Sequence, residues 1–354
     1  MARRKDRPAG PLEPRSAAIL RAIIEEYVTT AVPVGSQTLV DRYRLGVSSA
    51  TVRSVMAELE NAGFLHHPHT SAGRVPTDAG YRLYVESIAQ GVLLAPVEQL
   101  MIRHQFGQVS SASEQWFRLA ASTLAGATRS AGLATAAKPQ ACRVRRIDIV
   151  GNASRTASLV LVLAEGPIKQ TLLTLDEPRT AEDLDAMAVL LDRVLRGCSA
   201  SEVEARLASL DERYGHSRVL RQAGERIAKL MSEFDAASVE DVFSEGLLNV
   251  MEAPEFTLSE KVSRIFRVLQ DRQYLGRLVA DVARRGGVQV FIGSENGPSE
   301  MHDVSLVLAS YGRAGGAMGV VGVLGPTRMA YPHAISTVRY VSGLMDELVD
   351  QLYA

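Results

Sequence analysis

Residues 33–82, PVGSQTLVDRYRLGVSSATVRSVMAELENAGFLHHPHTSAGRVPTDAGYR, constrain this chain more than any other stretch. Ser36 stands at an N-cap position, its hydroxyl able to accept from the free N–H groups of a first helical turn. Leu39, Val40 and Tyr43 follow at helical spacing. The pattern breaks at Arg44-Leu45-Gly46-Val47, where glycine tolerates the positive φ of a tight turn. Ser48 or Ser49 then caps a second helix with Val52, Val55, Met56 and Leu59 at i, i+3, i+4 and i+7, which buries one face. Arg53, Ser54, Ala57 and Asn61 point to the other side. Two helices joined by a glycine-containing turn form a helix-turn-helix, whose second helix enters the DNA major groove N-terminus first.

The side chains on that segment suit the task. Ser48, Ser49, Ala50, Thr51 and Ser54 are small enough to let backbone approach bases and phosphates, and a helix N-terminus attracts phosphate. Arg53 is the side chain here able to donate two hydrogen bonds to guanine. A wing follows over residues 64–76, with a polar tip at 69–73 and a return through Arg74 and Val75. Such a wing meets the sugar-phosphate backbone, which positions without specifying. The residues expected on DNA are therefore Ser36, Ser48, Ser49, Thr51, Arg53 and Ser54 from the helices and His69, Thr70, Ser71 and Arg74 from the wing. His66, His67 and His69 do not read as a metal site: no Cys or carboxylate stands beside them in sequence, and strand alternation puts only His67 and His69 on one face. Thr77 caps a further helix bearing Tyr81, Tyr84, Val85 and Ile88.

These motifs carry a resemblance. GSQTL, SSATVRSVMAELE and PHTSAGRVPTDAGYR are similar to the N-terminal domain of the HrcA family of heat-inducible transcription repressors, and the likeness returns in VFIGSEN (290–296) and GVVGVLGPTRMAYP (319–332). The matched blocks lie at both ends of the chain, and the middle agrees in layout more than in words. One departure is Ser54, where the family commonly carries Asn after the recognition-helix arginine. The resemblance implies a GAF-like body with a dimerising module inserted into it. It further implies an inverted-repeat operator (CIRCE) upstream of chaperone operons such as groE and dnaK, and a DNA-binding form promoted by the chaperonin GroEL.

At 354 residues the chain accommodates two or three domains. The formal net charge of -1 announces no nucleic-acid partner, and residues 1–90 hold 11 Lys/Arg against 9 Asp/Glu, so DNA affinity has to come from local placement. Two cysteines without CxxC spacing, Cys142 and Cys198, read as reduced cytosolic thiols. No apolar run is long enough for a membrane span, and the first residues lack a signal core, so a cytoplasmic protein is expected. Residues 1–14 hold Arg3, Arg4, Lys5 and Arg7 among Pro and Gly and read as a disordered arm. A helix from Ser16 carries Leu20, Ile23, Ile24, Tyr27 and Val28, completing a winged domain over 15–90.

Beyond residue 91 two helical patterns precede strands near 145–150, 157–164 and 168–175. The first of those helices holds Val97, Leu100, Met101 and His104; the second holds Trp116, Leu119, Ala120, Thr123 and Leu124. Residues 181–235 form a helical stretch that reads as an interaction module. Two more helices, a strand at 288–292, a hairpin across 311–316 and a last amphipathic helix complete an α+β body over 91–354. Glycine-rich 312–319 lacks the Gly-Lys-Ser/Thr ending of a phosphate loop, and no nucleophile elbow or HExxH appears. The expectation is a homodimeric repressor, not an enzyme, with double-stranded DNA and GroEL as partners and no cofactor or metal. A small-molecule-controlled regulator of IclR type is the alternative.

Overall fold

The structure, a computed structural model, describes residues 12–68, 73–88, 91–108, 113–139, 141–153, 155–164, 168–214, 218–236, 242–256, 259–269, 271–313 and 317–353. The expected arm falls outside these residues as far as position 11, and so do His69, Thr70 and Ser71.

Helix α1 (Pro14–Thr30) opens on a proline, whose preset φ and missing N–H suit a first turn, and so starts two residues before Ser16. It buries Ile19, Leu20, Ile23 and Ile24. Helix α2 (Ser36–Arg42) is preceded by Gly35 at the N-cap, not by Ser36. Gly46 takes φ 66° in the turn, and α3 (Ser49–Asn61) buries Val52, Val55, Met56 and Leu59 as its periodicity requires. The wing is a two-stranded antiparallel ribbon, β1 (Leu65–His66) and β2 (Val75–Pro76). Val34 and Arg74 exchange two backbone hydrogen bonds of 2.9 Å, fastening the loop before α2 to the wing. Gly73 makes that approach possible: a Cβ there would lie 2.4 Å from the Val34 backbone. Helix α4 (Asp78–Ile88) follows, with the Gly80 N–H donating to the Thr77 hydroxyl at 3.2 Å.

The body is α+β. It opens with α5 (Pro96–Gly107) and α6 (Ser113–Thr128), then β3 (Ala131–Thr135) and β4 (Lys138–Pro139). Next come β5 (Val144–Ala153), β6 (Thr156–Leu163) and β7 (Ile168–Thr174), followed by α7 (Ala181–Leu195), α8 (Ala200–Tyr214) and α9 (Arg218–Ala236). The chain continues through β8 (Val242–Glu245), α10 (Leu247–Met251), α11 (Ser259–Leu269), α12 (Arg272–Arg285), β9 (Val288–Ile292), β10 (Val304–Gly312), β11 (Ala317–Pro326) and α13 (Tyr331–Tyr353). An antiparallel sheet of order β8-β3-β11-β10-β9, with β4 also paired to β11, is the scaffold.

One apolar cluster runs without interruption from Ile23, Leu39 and Val52 of the winged domain to Phe117, Val307, Val338 and Met345 of the body. The opposite sheet face packs Leu306 and Leu324 against Ile265 and Val282. Between β4 and β8 the chain builds a module with a core of its own. Strands β5, β6 and β7 pair only with one another among the described residues, and Leu159, Leu161 and Leu173 pack with Leu191, Ile227 and Met231. The helical stretch expected at about 181–235 is thus the helical half of a larger unit, and the three strands before it belong to that unit and not to the body sheet. Cys142 and Cys198 are buried within it and form no disulfide.

Helix α5 corrects another expectation. It buries Ile102 and Phe106, whereas Val97, Leu100 and Met101 are 70%, 70% and 62% exposed. The helix has two apolar faces, and packing chose the one that the spacing argument passed over. No described helix is long and apolar enough to cross a membrane.

Candidate nucleic-acid interface

The first turn of α3 is built from hydroxyls. The Ser48 oxygen accepts from Thr51 N–H at 3.2 Å and lies 3.0 Å from the Thr51 hydroxyl, which resolves the open capping choice in favour of Ser48. Ser49 instead shares a 3.0 Å hydrogen bond with Ser36. Ser36, expected as the cap of α2, is therefore the pin that ties α2 to the start of α3. Thr51 and Ser49 are half-buried in these contacts, while Ser48, Arg53 and Ser54 are exposed. Arg53 makes no hydrogen bond or ion pair among the described residues, so its five donors face solvent from the middle of α3.

Arg74 departs from expectation. Its side chain is only 14% exposed, with Nε and Nη2 donating to the Glu60 carboxylate at 3.0 and 2.8 Å. Glu60, in the last turn of α3, also holds His67 Nδ1 at 2.8 Å. An arginine expected on phosphate is thus neutralised by a carboxylate of α3, and its geometry is that of a brace. The hydrogen bond from His67, then Arg74 beside it, hold the Glu60 carboxyl below its ordinary range. The carboxylate that sequence proximity did not supply to the wing histidines is supplied by tertiary contact. Among the described residues no three His, Cys, Asp or Glu are arranged to hold a metal. His69, Thr70 and Ser71 fall outside the described residues, so of the wing contacts only Arg74 is placed.

Sequence reading also missed the brace behind α2. Glu26 of α1, 6% exposed, accepts from Arg42 at 2.7 Å, and the Tyr43 hydroxyl donates to it at 3.5 Å. An acid inside an apolar helix pattern, facing a basic residue at the end of the next helix, was the available signal.

Among the described residues the body's His302, Asp303 and His333 are held in structural contacts. His302 and His333 sit against the Gly297 and Ala127 carbonyls, and Asp303 pairs with Lys261 at 2.8 Å. A cleft of about 750 Å³ between α12 and residues 295–298 is lined by Tyr274, Leu278, Phe291 and the paired Asp281 and Arg284, with no nucleophile set beside a base.

Comparison with known proteins places this geometry. The family described as HrcA protein C terminal domain matches residues 114–335. A heat-inducible transcription repressor HrcA from Chloroflexus aurantiacus is 42% identical over 357 residues, covering 98% of this chain and 96% of that protein. Its counterpart from Roseiflexus castenholzii is also 42% identical, covering 97% and 96%. Among solved structures, a 2.2 Å crystal structure described as a hypothetical protein superposes with a TM-score of 0.60 at 23% identity, covering 96% of this chain and 99% of that one. It has the same fold.

Proposed function

The chain belongs to the HrcA family of heat-inducible transcription repressors, and from that premise we propose that it represses by laying the Arg53 face of α3 in the major groove of an inverted-repeat operator. The observation that carries this reading is the solvent-facing side of α3. Arg53 and Ser54 are exposed on it, held on a helix whose other side is locked into the core. Ser48, Ser49 and Thr51 furnish the first turn, and the wing, braced through Glu60, flanks the groove. Relatives of this chain are repressors and not enzymes.

The operator is a CIRCE-type repeat upstream of chaperone operons, and two copies of the chain read its halves about a shared two-fold axis. Two uncovered apolar surfaces support a dimer. One is the α5 stripe. The other is the outer face of the module sheet, where Val150, Ile168 and Leu172 are 54%, 67% and 55% exposed. Exposed apolar area of this kind marks a protein contact.

GroEL acts on the folded fraction in this reading: heat draws the chaperonin to other clients, the competent population falls, and the operator is vacated. The test is a gel shift of the purified chain on a duplex inverted repeat and on scrambled DNA, before and after treatment with GroEL. Preferential binding to the repeat, with a larger active fraction after treatment, is expected. Equal binding to both duplexes sinks the operator reading, and an unchanged fraction sinks the chaperonin reading.

A further inference from the structure

Two of the sequence blocks that carry the resemblance, the one ending at Arg82 and the one ending at Asn296, meet in space. Arg82 and Glu295 are 213 positions apart, yet Arg82 Nε donates to Glu295 Oε1 at 2.8 Å. Arg82 Nη2 donates to the second carboxylate oxygen and to the Val290 carbonyl, the latter at 2.6 Å. One turn earlier, Asp78 Oδ2 accepts from both the backbone N–H and the hydroxyl of Ser294, each at 2.9 Å. Gly293 takes φ 51°, and a Cβ there would lie 2.4 Å from the Asp78 carboxylate, so the close approach needs glycine. Tyr81 packs on Tyr331 with ring centroids 5.7 Å apart. Arg328 of the body pairs with Glu255 and donates to the Val28 carbonyl of α1 at 3.3 Å.

This joint between winged domain and body is rich in polar contacts, and it is not dry throughout. The Arg82 and Glu295 side chains are 30% and 34% exposed, so water and salt compete for them. Beside them, the Tyr81 hydroxyl and Glu255 Oε2 are buried with no hydrogen-bond partner among the described residues. The joint sits on the apolar cluster that the winged domain shares with the body, so its polar pairs set the angle of the winged domain and not its attachment. It covers α4 and leaves the Arg53 side of α3 exposed in the closed form.

We propose that this joint is a reversible latch: the Asp78–Ser294 and Arg82–Glu295 pairs hold the winged domain at the orientation in which two copies on one dimer meet both halves of an inverted repeat. The proposal rests on the DNA-binding reading above. Because α3 is free in either position, opening the latch leaves the grip on one half-site intact. What it removes is the fixed spacing that makes the second half-site contact effectively intramolecular.

The experiment uses the full chain carrying Asp78→Asn with Glu295→Gln, bound to an inverted-repeat duplex and to a single half-site duplex. About a tenfold loss on the repeat with no change on the half-site is expected, the avidity term alone being removed. Arg82→Glu alone should lose affinity for the repeat, and adding Glu295→Arg should restore part of it. Spin labels at Val32→Cys and Leu248→Cys, both exposed positions, should give a broader distance distribution in the latch variant, with circular dichroism showing the fold retained. Unchanged or tighter binding to the repeat, equal loss on both duplexes, or an unchanged distance distribution overturns the latch. Wild-type protein that binds neither duplex defeats the DNA reading instead, and the label distances still decide whether the joint opens.

Discussion

Arg53 is exposed on a helix whose neighbours at Val52 and Met56 are buried, so its direction is set by the core. Arg53→Ala should cost about 1–3 kcal/mol of operator binding and relax discrimination at one base pair per half-site. A gel-shift series on single-base operator variants reads this, and uniform loss on operator and random DNA counts against base reading. Glu60 supports a different prediction. Its carboxyl is held low by His67 and then Arg74, so the wing brace contributes stability above the unfolded-state value and loses it as pH falls through the lowered one. Wild type and Glu60→Gln should therefore differ in thermal midpoint near neutrality and converge in acid; a gap that persists in acid argues against a charge-based brace. The outward direction of Arg53 and a serine cap at 48 or 49 could be read from spacing; that Ser48 is the cap came from the structure. The burial of Arg74 could not, because its partner sits 14 positions away on another element.

Secondary structure separates the readable elements from the unreadable ones by how much of their pattern is local. The periodicity of α3 and the Gly46 turn are local, and both stand where spacing put them. Strand β3, Ala-Gly-Leu-Ala-Thr, is central to the body sheet, yet its small residues carry little strand preference. Its identity comes from α6: a Cβ on Gly132 would meet the Ala121 carbonyl oxygen at 1.9 Å. Gly132→Ala should accordingly destabilise the body by about 1–3 kcal/mol or more, as overpacking does, read as a lower thermal midpoint. Retention of the wild-type midpoint would show that α6 yields freely. Helix α5 makes the same point from the other side, since either apolar face satisfied the spacing and only packing against α13 and α6 selected Ile102 and Phe106.

For the whole molecule the open question of assembly turns on the module. Strands β5–β7 cover one face with α7 and α9 and leave Val150, Ile168 and Leu172 on the other. Ile168→Asp with Leu172→Asp should convert a dimer to a monomer in sedimentation velocity and weaken binding to the inverted repeat more than to a half-site. A dimer that survives both substitutions moves the interface to α5. The winged domain is joined to the body by a shared core and by the polar joint at Arg82 and Glu295, so changes in the body have a physical route to α3.

Local order settled the helices of the winged domain: a glycine turn and a 3.6-residue stripe act over a few residues, whereas the capping roles of Ser36, Ser48 and Ser49 were sorted only where α2 meets α3. Distance decided the rest. Glu60 against Arg74, Asp78 against Ser294, the strand role of 131–135 and the joining of 144–174 to the helices after it all depend on residues that meet only after the chain has closed on itself. Burial, not periodicity, is the term that chooses among them.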